Sequence, residues 1–437
     1  MKTRMLTVSC ALVCSLSVAS PILADDLFAV YQTASKNDPT YGAAVAEYKA
    51  AIEASPKAWA SVLPQINLSG AHTEVYDEVR NSAAGEDYDS DRYSLTLSQT
   101  LFNKAQFDTI AQASATVLQA EANYRNARHD LIVRVAEAYF NVLSEQANLA
   151  FAQAEKKAIA QQLNQARQRF NVGLTAITDV HEAQARYDQA VSQEIEAQRL
   201  YDISRENLRE ITGAEHTKLN GVNDNHVFVR PEPEDVEAWV KIALDNNLSL
   251  KAAKHAVDIA REGKDIAYAG HYPSLNLEAD YTDSETTGGQ FGTFARDGTS
   301  ISLVLNVPIF AGGGVNAAGR EAAANLLRSK EIHEQQRRAT ERQARNSYLT
   351  VLSSIAQVQA LKQSLRSSQT ALEATKAGFE VGTRTAVDVL DSQREVYRAK
   401  RDYIRARHGY IVNTLKLKQA AGTLGEDDVR SINNWLS

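Results

Sequence analysis

The sequence predicts a mainly α-helical chain that supplies four β-strands to a membrane β-barrel, with the barrel continuing into a tube of long helices. Three observations lead to this fold class. The sequence repeats itself once, four short segments alternate apolar and polar residues, and two very long stretches contain neither Pro nor Gly. Alternation with a period of two indicates strands, and long uninterrupted stretches indicate coiled-coil-like helices.

The chain is an internal duplication with an offset of 209 residues. Residues 63–68 (LPQINL) align with 272–277 (YPSLNL), and residues 170–173 (FNVG) align with 379–382 (FEVG). Solenoid repeats are only ~20–50 residues long, so each copy here is half of a structure rather than a stacking unit. We expect the first structural repeat at 25–213, an equatorial linker at 214–247, the second repeat at 248–422, and a C-terminal equatorial segment at 423–437.

The N-terminus has the pattern of a secretory signal peptide. Lys2 and Arg4 precede an apolar stretch that ends at Ala24, which predicts a signal peptide at 1–24. Both cysteines, Cys10 and Cys14, lie inside it. The mature chain is therefore expected to have no disulfide, no thiolate nucleophile and no Cys-based metal site.

The expected mature chain is acidic. The full sequence has 47 Lys and Arg against 54 Asp and Glu, so losing Lys2 and Arg4 leaves 45 against 54, a formal net charge of −9. This charge argues against nucleic acid as a partner. After the signal peptide, no run reaches the ~18 apolar residues of a membrane helix, so a membrane-spanning part would have to consist of strands.

Four segments, at about 65–76, 92–102, 274–283 and 299–310, alternate apolar with polar residues. Such alternation gives a sheet one apolar and one polar face, and the lengths suit tilted transmembrane strands of ~9–11 residues. The polar connections 77–91 and 284–298 are longer than tight turns, which favours surface loops of a barrel. The alternative is a pair of ordinary hairpins on a soluble core.

The rest of the chain is predicted to be helical. The stretches 104–168 and 325–377 contain no Pro or Gly, and about 65 helical residues would make a rod of roughly 100 Å. Two apolar seams run side by side along the first stretch, as expected for a helix with a neighbour on each side. The alternative is a soluble helical bundle with an Ala-rich core.

Barrel closure determines the expected number of chains. Four strands cannot close a barrel, and an open sheet edge is not tolerated in hydrocarbon, so several chains must share one barrel. Two chains would give eight strands with a filled interior, whereas three give twelve strands and a lumen. We therefore expect a homotrimer with a 12-stranded barrel.

Several motifs resemble the TolC-like outer membrane factor family. Residues 172–180 and 381–391 look like its two helix-hairpin motifs, and residues 271–273, 308–313 and 421–426 are similar to other parts of it. The resemblance covers essentially all of the mature chain. It implies a homotrimeric channel-tunnel in the outer membrane of a Gram-negative bacterium, in which a 12-stranded β-barrel continues as a periplasmic α-helical barrel with a mixed equatorial collar.

The resemblance also implies a function. Family members passively export small molecules, such as drugs and bile-salt-like toxic compounds, or secreted proteins. They do so when docked to a periplasmic adaptor (a membrane fusion protein) and to an inner-membrane pump of the RND, ABC or MFS type. Besides these protein partners, the resemblance implies contact with outer-membrane lipid.

The resemblance places a gate at the periplasmic end of the tunnel. It implies that Asp388 and Asp391 form rings at the entrance that bind cations and cause block by multivalent cations, and that Gly173 and Gly382 form the tip turns. It assigns links that constrain the gate to Arg384, Phe379, Asp179, Thr178 and Gln162. One residue departs from the family, because Phe379 stands where its members have Tyr. The hydroxyl link to the Asp179 region is then missing, and we expect a gate that is held less firmly.

A purely structural interpretation of the same residues is also open. Thr385 and Asp388 have the spacing of a capping box, and Arg384 has the i,i+4 spacing of a surface ion pair with Asp388. From the residues alone, the acidic pair could be a helix start rather than a cation site.

Enzyme signatures are missing from the sequence. The glycines at 312–314 follow a strand, but no Gly-Lys-Ser/Thr follows, so they do not form a phosphate-binding loop. The nine His do not have metal-ligand spacing, and there is no Gly-x-Ser-x-Gly nucleophile motif. We expect no catalytic residue, cofactor or structural metal. Besides the export duct, a surface-anchored structural protein or adhesin with a helical stalk remains an alternative.

Overall fold

The computed structural model of the chain describes residues 25–76, 87–223, 228–288 and 292–436. The predicted signal peptide and most of the predicted loop 77–91 lie outside them. The helices are α1 (Leu27–Asn37), α2 (Pro39–Ile52), α3 (Ala54–Ala60), α4 (Lys104–Asn171), α5 (Ile177–Thr212), α6 (Val236–Asn246), α7 (Leu248–Ala269), α8 (Gly314–Glu380), α9 (Ala386–Ala421) and α10 (Glu426–Asn433). The strands are β1 (Gln65–Val75), β2 (Tyr88–Asn103), β3 (Ser274–Gly288) and β4 (Phe294–Asn306).

The four strands form one antiparallel sheet in the order β1-β2-β3-β4. The central pair, β2 and β3, joins the two sequence repeats. Leu68 pairs with Leu95, and Leu95 with Tyr281, so apolar side chains line one face. In a single chain, Leu68 is 77% exposed and Ile301 is 75% exposed. A sheet with such an apolar face has to be covered by something other than water.

The strand ends differ from the sequence prediction. β2 begins at Tyr88 and β3 ends at Gly288, so pairing extends into both predicted surface loops. Backbone pairing does not require an apolar face, so the ladder continues through the polar residues that follow the apolar segments. At the other end, β4 stops at Asn306 rather than near 310 because Pro308 has no N–H for the ladder.

Two helical hairpins extend away from the sheet. α4 has 68 residues and returns as the 36-residue α5, while α8 has 67 residues and returns as the 36-residue α9. Nearer the sheet, α7 packs between α4 and α8, and α2 and α3 pack on α4. None of the described helices is both long and apolar enough to cross a membrane.

The main hydrophobic core lies part-way along the helices. Leu131, Val135 and Tyr139 of α4 pack in one cluster with Leu415 of α9 and residues of α1, α6 and α10. The Tyr139 hydroxyl donates to the carbonyl of Asn220 at 2.7 Å, which ties a non-helical segment to the helical wall. This mixed layer contains residues of the predicted equatorial segments 214–247 and 423–437 packed on α4 and α9.

One buried histidine of this layer is neutral. The Nδ1 atom of His408 lies 2.7 Å from the Ser144 hydroxyl oxygen, and its ring packs on Phe140 with 5.3 Å between centroids. Burial, followed by the nearby Arg407 charge, lowers the pKa of His408 to about 4. The unfolded chain therefore takes up a proton near pH 6.5 that the folded chain does not accept until about pH 4.

We expect stability to fall as the pH drops through this window. Each His408 should remove about 3 kcal/mol of unfolding free energy between about pH 6.5 and pH 4. The measurement is the melting temperature of the detergent-solubilised protein at several pH values, compared with His408→Gln. The variant should show a flatter pH dependence, whereas His181→Gln, an exposed position on α5, should follow the wild type. Parallel curves for His408→Gln and wild type would contradict the assignment.

Candidate functional site at the helical tip

The two hairpins turn with the same backbone geometry. After α4, the Leu174 N–H donates to the Arg169 carbonyl at 2.8 Å; after α8, the Thr383 N–H donates to the Gly378 carbonyl at 2.8 Å. Gly173 has a φ of 78° and Gly382 a φ of 77°. This is the Schellman arrangement, in which the left-handed residue is usually Gly. An added Cβ would meet no atom within 4 Å at either glycine, so φ rather than space selects the residue type.

Asp388 begins α9. The Thr385 N–H donates to its carboxylate at 2.9 Å, and the Asp388 N–H donates to the Thr385 hydroxyl at 3.2 Å, which completes a capping box. The hydrogen bond from the Thr385 backbone, then that from its hydroxyl, and to a smaller degree the Arg384 charge lower the pKa of Asp388. The capping role proposed as an alternative is thus present in the structure, and it keeps Asp388 ionised near neutral pH.

Asp391 lies one turn further and joins the two hairpins. Its carboxylate accepts from Arg186 Nη1 at 3.0 Å, and Arg394 of the same helix lies 3.8 Å away. The other Nη of Arg186 donates to Glu182 at 3.0 Å. Arg186 therefore links α5 to α9 within one chain, and Asp391 is a paired carboxylate rather than an isolated one.

The sequence prediction did not include Arg186. Its i,i+4 spacing from Glu182 was visible, but this pattern is typical of an exposed helix surface. Its second partner is 205 residues away, and only the packing of the two hairpins brings them together.

Four of the five residues predicted to constrain the gate line one cavity of about 680 Å³ between the hairpins. Gln162, Asp179, Phe379 and Arg384 all line it, together with Arg186. Thr178 is exposed and does not line it.

The predicted links between these residues are not formed within one chain. Asp179 accepts a hydrogen bond from the Thr175 hydroxyl. The Phe379 ring lies under the Arg169 guanidinium, 6.0 Å from the ring centroid. Arg384 forms no ion pair with another residue in the described ranges. A link from Arg384 to residues 178–179 stays a prediction.

No cluster of three or more His, Cys, Asp or Glu side chains suited to a metal ion occurs in the part of the chain that the structure describes. The described tip residues place charged side chains around a cavity of mixed polar and apolar lining, without a nucleophile next to a base. This geometry can constrain the relative position of two helical hairpins and can present ionised carboxylates. The class of protein is one in which two long helical hairpins with charged tips are attached to a four-stranded sheet with an exposed apolar face.

Comparison with known proteins identifies the family. The model of the outer membrane efflux protein family matches residues 30–214 and again residues 239–423. Both starts and both ends of these segments are 209 positions apart, which agrees with the duplication found in the sequence. The chain belongs to this family, whose members are outer-membrane channels of Gram-negative bacteria.

Individual relatives span nearly the whole chain. The outer membrane protein TolC of Vibrio cholerae is 37% identical over 428 residues, covering 96% of both chains. The alkaline protease secretion protein AprF of Pseudomonas aeruginosa is 30% identical and covers 94% of this chain and 88% of its own.

Among solved structures, the Campylobacter jejuni CmeC outer membrane channel superposes with a TM-score of 0.81 at 16% identity, covering 100% of this chain and 97% of its own. These comparisons confirm the predicted fold class, a sheet that contributes strands to an outer-membrane β-barrel and helices that form a periplasmic helical barrel. They also confirm the general function, an outer-membrane channel for efflux and secretion.

Proposed function

We propose that three copies of the chain form a channel-tunnel that passively exports small toxic molecules, secreted proteins, or both. The sheet carries this proposal, because its edge strands β1 and β4 have no partner strand within the described chain. Three copies place the β4 edge of each chain beside the β1 edge of the next, which closes twelve strands around a lumen.

In this trimer, the helices and the equatorial segments form the tunnel. The repeats 25–213 and 248–422 supply the helical wall, and the segments 214–247 and 423–437 supply the equatorial collar. One relative is named for protease secretion, which supports secreted proteins as cargo. Another is named for efflux, which supports small molecules as cargo.

The helical tip would bind a periplasmic adaptor that connects the channel to an inner-membrane pump. Val172, Leu174 and Val381 at the two turns are 69%, 76% and 76% exposed. Apolar residues at the tip of a long projection are typical of a protein contact surface. Energy for transport would come from the pump, since the tip has no catalytic arrangement of its own.

We propose that the tip is also the gate. Three copies of Asp388 and Asp391 would form acidic rings around the axis, which bind cations at the mouth. Closure would be maintained by Arg384, Phe379, Asp179, Thr178 and Gln162 at contacts between hairpins, and by the Arg186–Asp391 pair, which joins the hairpins of each chain.

The assembly can be tested directly. We expect the protein purified in detergent to have the mass of three chains, because a single sheet leaves two open edges, and to produce discrete conductance steps in planar lipid bilayers. Mass measurement with light scattering and single-channel recording are the assays. A stable monodisperse monomer would contradict the closed barrel. A trimer without conductance would favour a structural protein or adhesin instead of a duct.

A further inference from the structure

The strand register assigns each side chain to one face of the barrel wall. Side chains alternate along a strand, and directly paired residues share a face. The face that carries Leu68, Leu95 and Tyr281 is apolar and would contact lipid. The opposite face, which carries mostly Ser, Thr and Asn, would line the lumen.

Two arginines lie on the lumen face in a single row across the sheet. Arg92 of β2 pairs with Ser284 of β3, and Ser284 pairs with Arg296 of β4. Both arginines are exposed in a single chain. They are two strands apart, or about 10 Å at ~4.8 Å per strand.

Neither guanidinium has an acidic partner among the residues with described positions. The adjacent rows on the lumen face contain no carboxylate: one has Ser94, Thr282 and Gly298, and the other has Ser90, Thr286 and Phe294. Asp91, Asp283 and Asp297 are close in sequence, but the pleat directs them to the opposite face. Two positive charges therefore project into the lumen from every chain.

The height of this row places it at the outer mouth. The strands enter from the helices at residues 65, 103, 274 and 306, and the row lies towards the far end of the sheet. It lies one residue beyond Tyr93, an aromatic residue of the kind found at a membrane interface. The carboxylates of Asp280 and Glu278 lie on the same face nearer the helices; Asp280 is four residues, or about 13 Å, from Ser284.

We propose that Arg92 and Arg296 of the three chains form a binding ring for multivalent anions, such as polyphosphates, that enter the channel from the cell exterior. This inference rests on the proposed trimeric barrel, in which six guanidinium groups surround one lumen. Twelve strands ~4.8 Å apart and tilted ~40° give a barrel about 24 Å across between backbones. Guanidinium groups bind phosphate oxygens in pairs of hydrogen bonds, so a polyphosphate chain can contact neighbouring arginines.

The ring predicts that block by anions depends on the side of the channel from which they are added. Within the lumen, a polyphosphate that reaches the guanidinium ring from outside next meets the carboxylates of Asp280 and Glu278, which repel it. The anion is therefore expected to remain at the outer ring and reduce the current, rather than to pass through. Anions added from the periplasmic side meet the acidic tip before they reach the arginines, so their effect should be weaker.

The test is tripolyphosphate block of single channels in planar bilayers, at low salt, with addition to the barrel side or to the helical side. We expect block from the barrel side, with a half-blocking concentration that rises about tenfold or more in Arg92→Gln/Arg296→Gln because the charge-assisted hydrogen bonds are lost. Arg92→Lys/Arg296→Lys, which keeps the charge, should retain part of the block. Arg199→Gln, which removes a positive charge from α5, should retain all of it, because Arg199 lies outside the sheet and pairs with Glu196 of its own helix.

Two results would overturn the inference while leaving the channel intact. One is conducting wild-type protein that tripolyphosphate does not block from the barrel side. The other is equal block of wild type and Arg92→Gln/Arg296→Gln. Wild-type trimers without any conductance would contradict the proposed function itself, and the ring with it.

Discussion

Asp388→Asn combined with Asp391→Asn is expected to remove the block of the channel by multivalent cations added from the helical side. In a trimer the change neutralises six carboxylates around one axis while preserving side-chain size. The half-blocking concentration of La³⁺ should rise at least ~100-fold, since each carboxylate contributes on the order of 1 kcal/mol to a trivalent cation nearby, before screening. Selectivity for small cations should weaken as well. Single-channel conductance at a series of La³⁺ concentrations measures both.

A matched variant separates the charge from the helix cap. Thr385→Ala removes the hydroxyl that Asp388 N–H donates to, but leaves both carboxylates in place. Losing such a cap costs about 1 kcal/mol of local helix stability. If the carboxylates form the cation site, La³⁺ should block the Thr385→Ala channel at the same concentrations as the wild-type channel. The contrary result is that La³⁺ blocks Asp388→Asn/Asp391→Asn as it blocks the wild type, with cation selectivity unchanged. That result would mean that the acidic pair serves only to begin α9.

Arg186→Gln is expected to raise the resting conductance. Arg186 connects the two hairpins through Asp391 at 3.0 Å, with side chains that are 29% and 47% exposed. A partly exposed ion pair contributes about 0.5–1 kcal/mol, and three copies that open together would contribute roughly three times as much. The ratio of open to closed channels should therefore rise roughly 10- to 100-fold. The ratio is obtained from the open probability of single channels in planar bilayers at neutral pH.

A double-mutant cycle tests whether the pair itself is responsible. If Arg186 acts through Asp391, then Arg186→Gln, Asp391→Asn and the double variant should raise the open probability by similar, non-additive amounts. Arg199→Gln on the same helix is the control, because Arg199 pairs with Glu196 of its own helix at 2.5 Å and joins no second hairpin. Additive effects of Arg186→Gln and Asp391→Asn, or an equal effect of Arg199→Gln, would argue against the link.

The sequence by itself determined the parts of this protein that depend on local order. Alternating residues predicted the strands, the absence of Pro and Gly predicted the long helices, and the repeated segments predicted two equivalent halves. The spacing of Thr385 and Asp388 indicated the capping box seen at the start of α9. The strand, helix and capping signals lie within a few neighbouring residues, where backbone preferences and side-chain periodicity act directly. The repeat is visible from the sequence because its two copies can be aligned directly at an offset of 209 residues.

Only the tertiary structure decided which distant residues meet. It brought Arg186 of α5 to Asp391 of α9, and it showed that Asp391 is paired rather than free. It extended β3 to Gly288, because backbone pairing continued where the apolar pattern had ended. It also aligned Arg92 with Arg296 through Ser284, a row that depends on register. These contacts arise from the packing of whole helices and strands, for which a single sequence contains no local pattern.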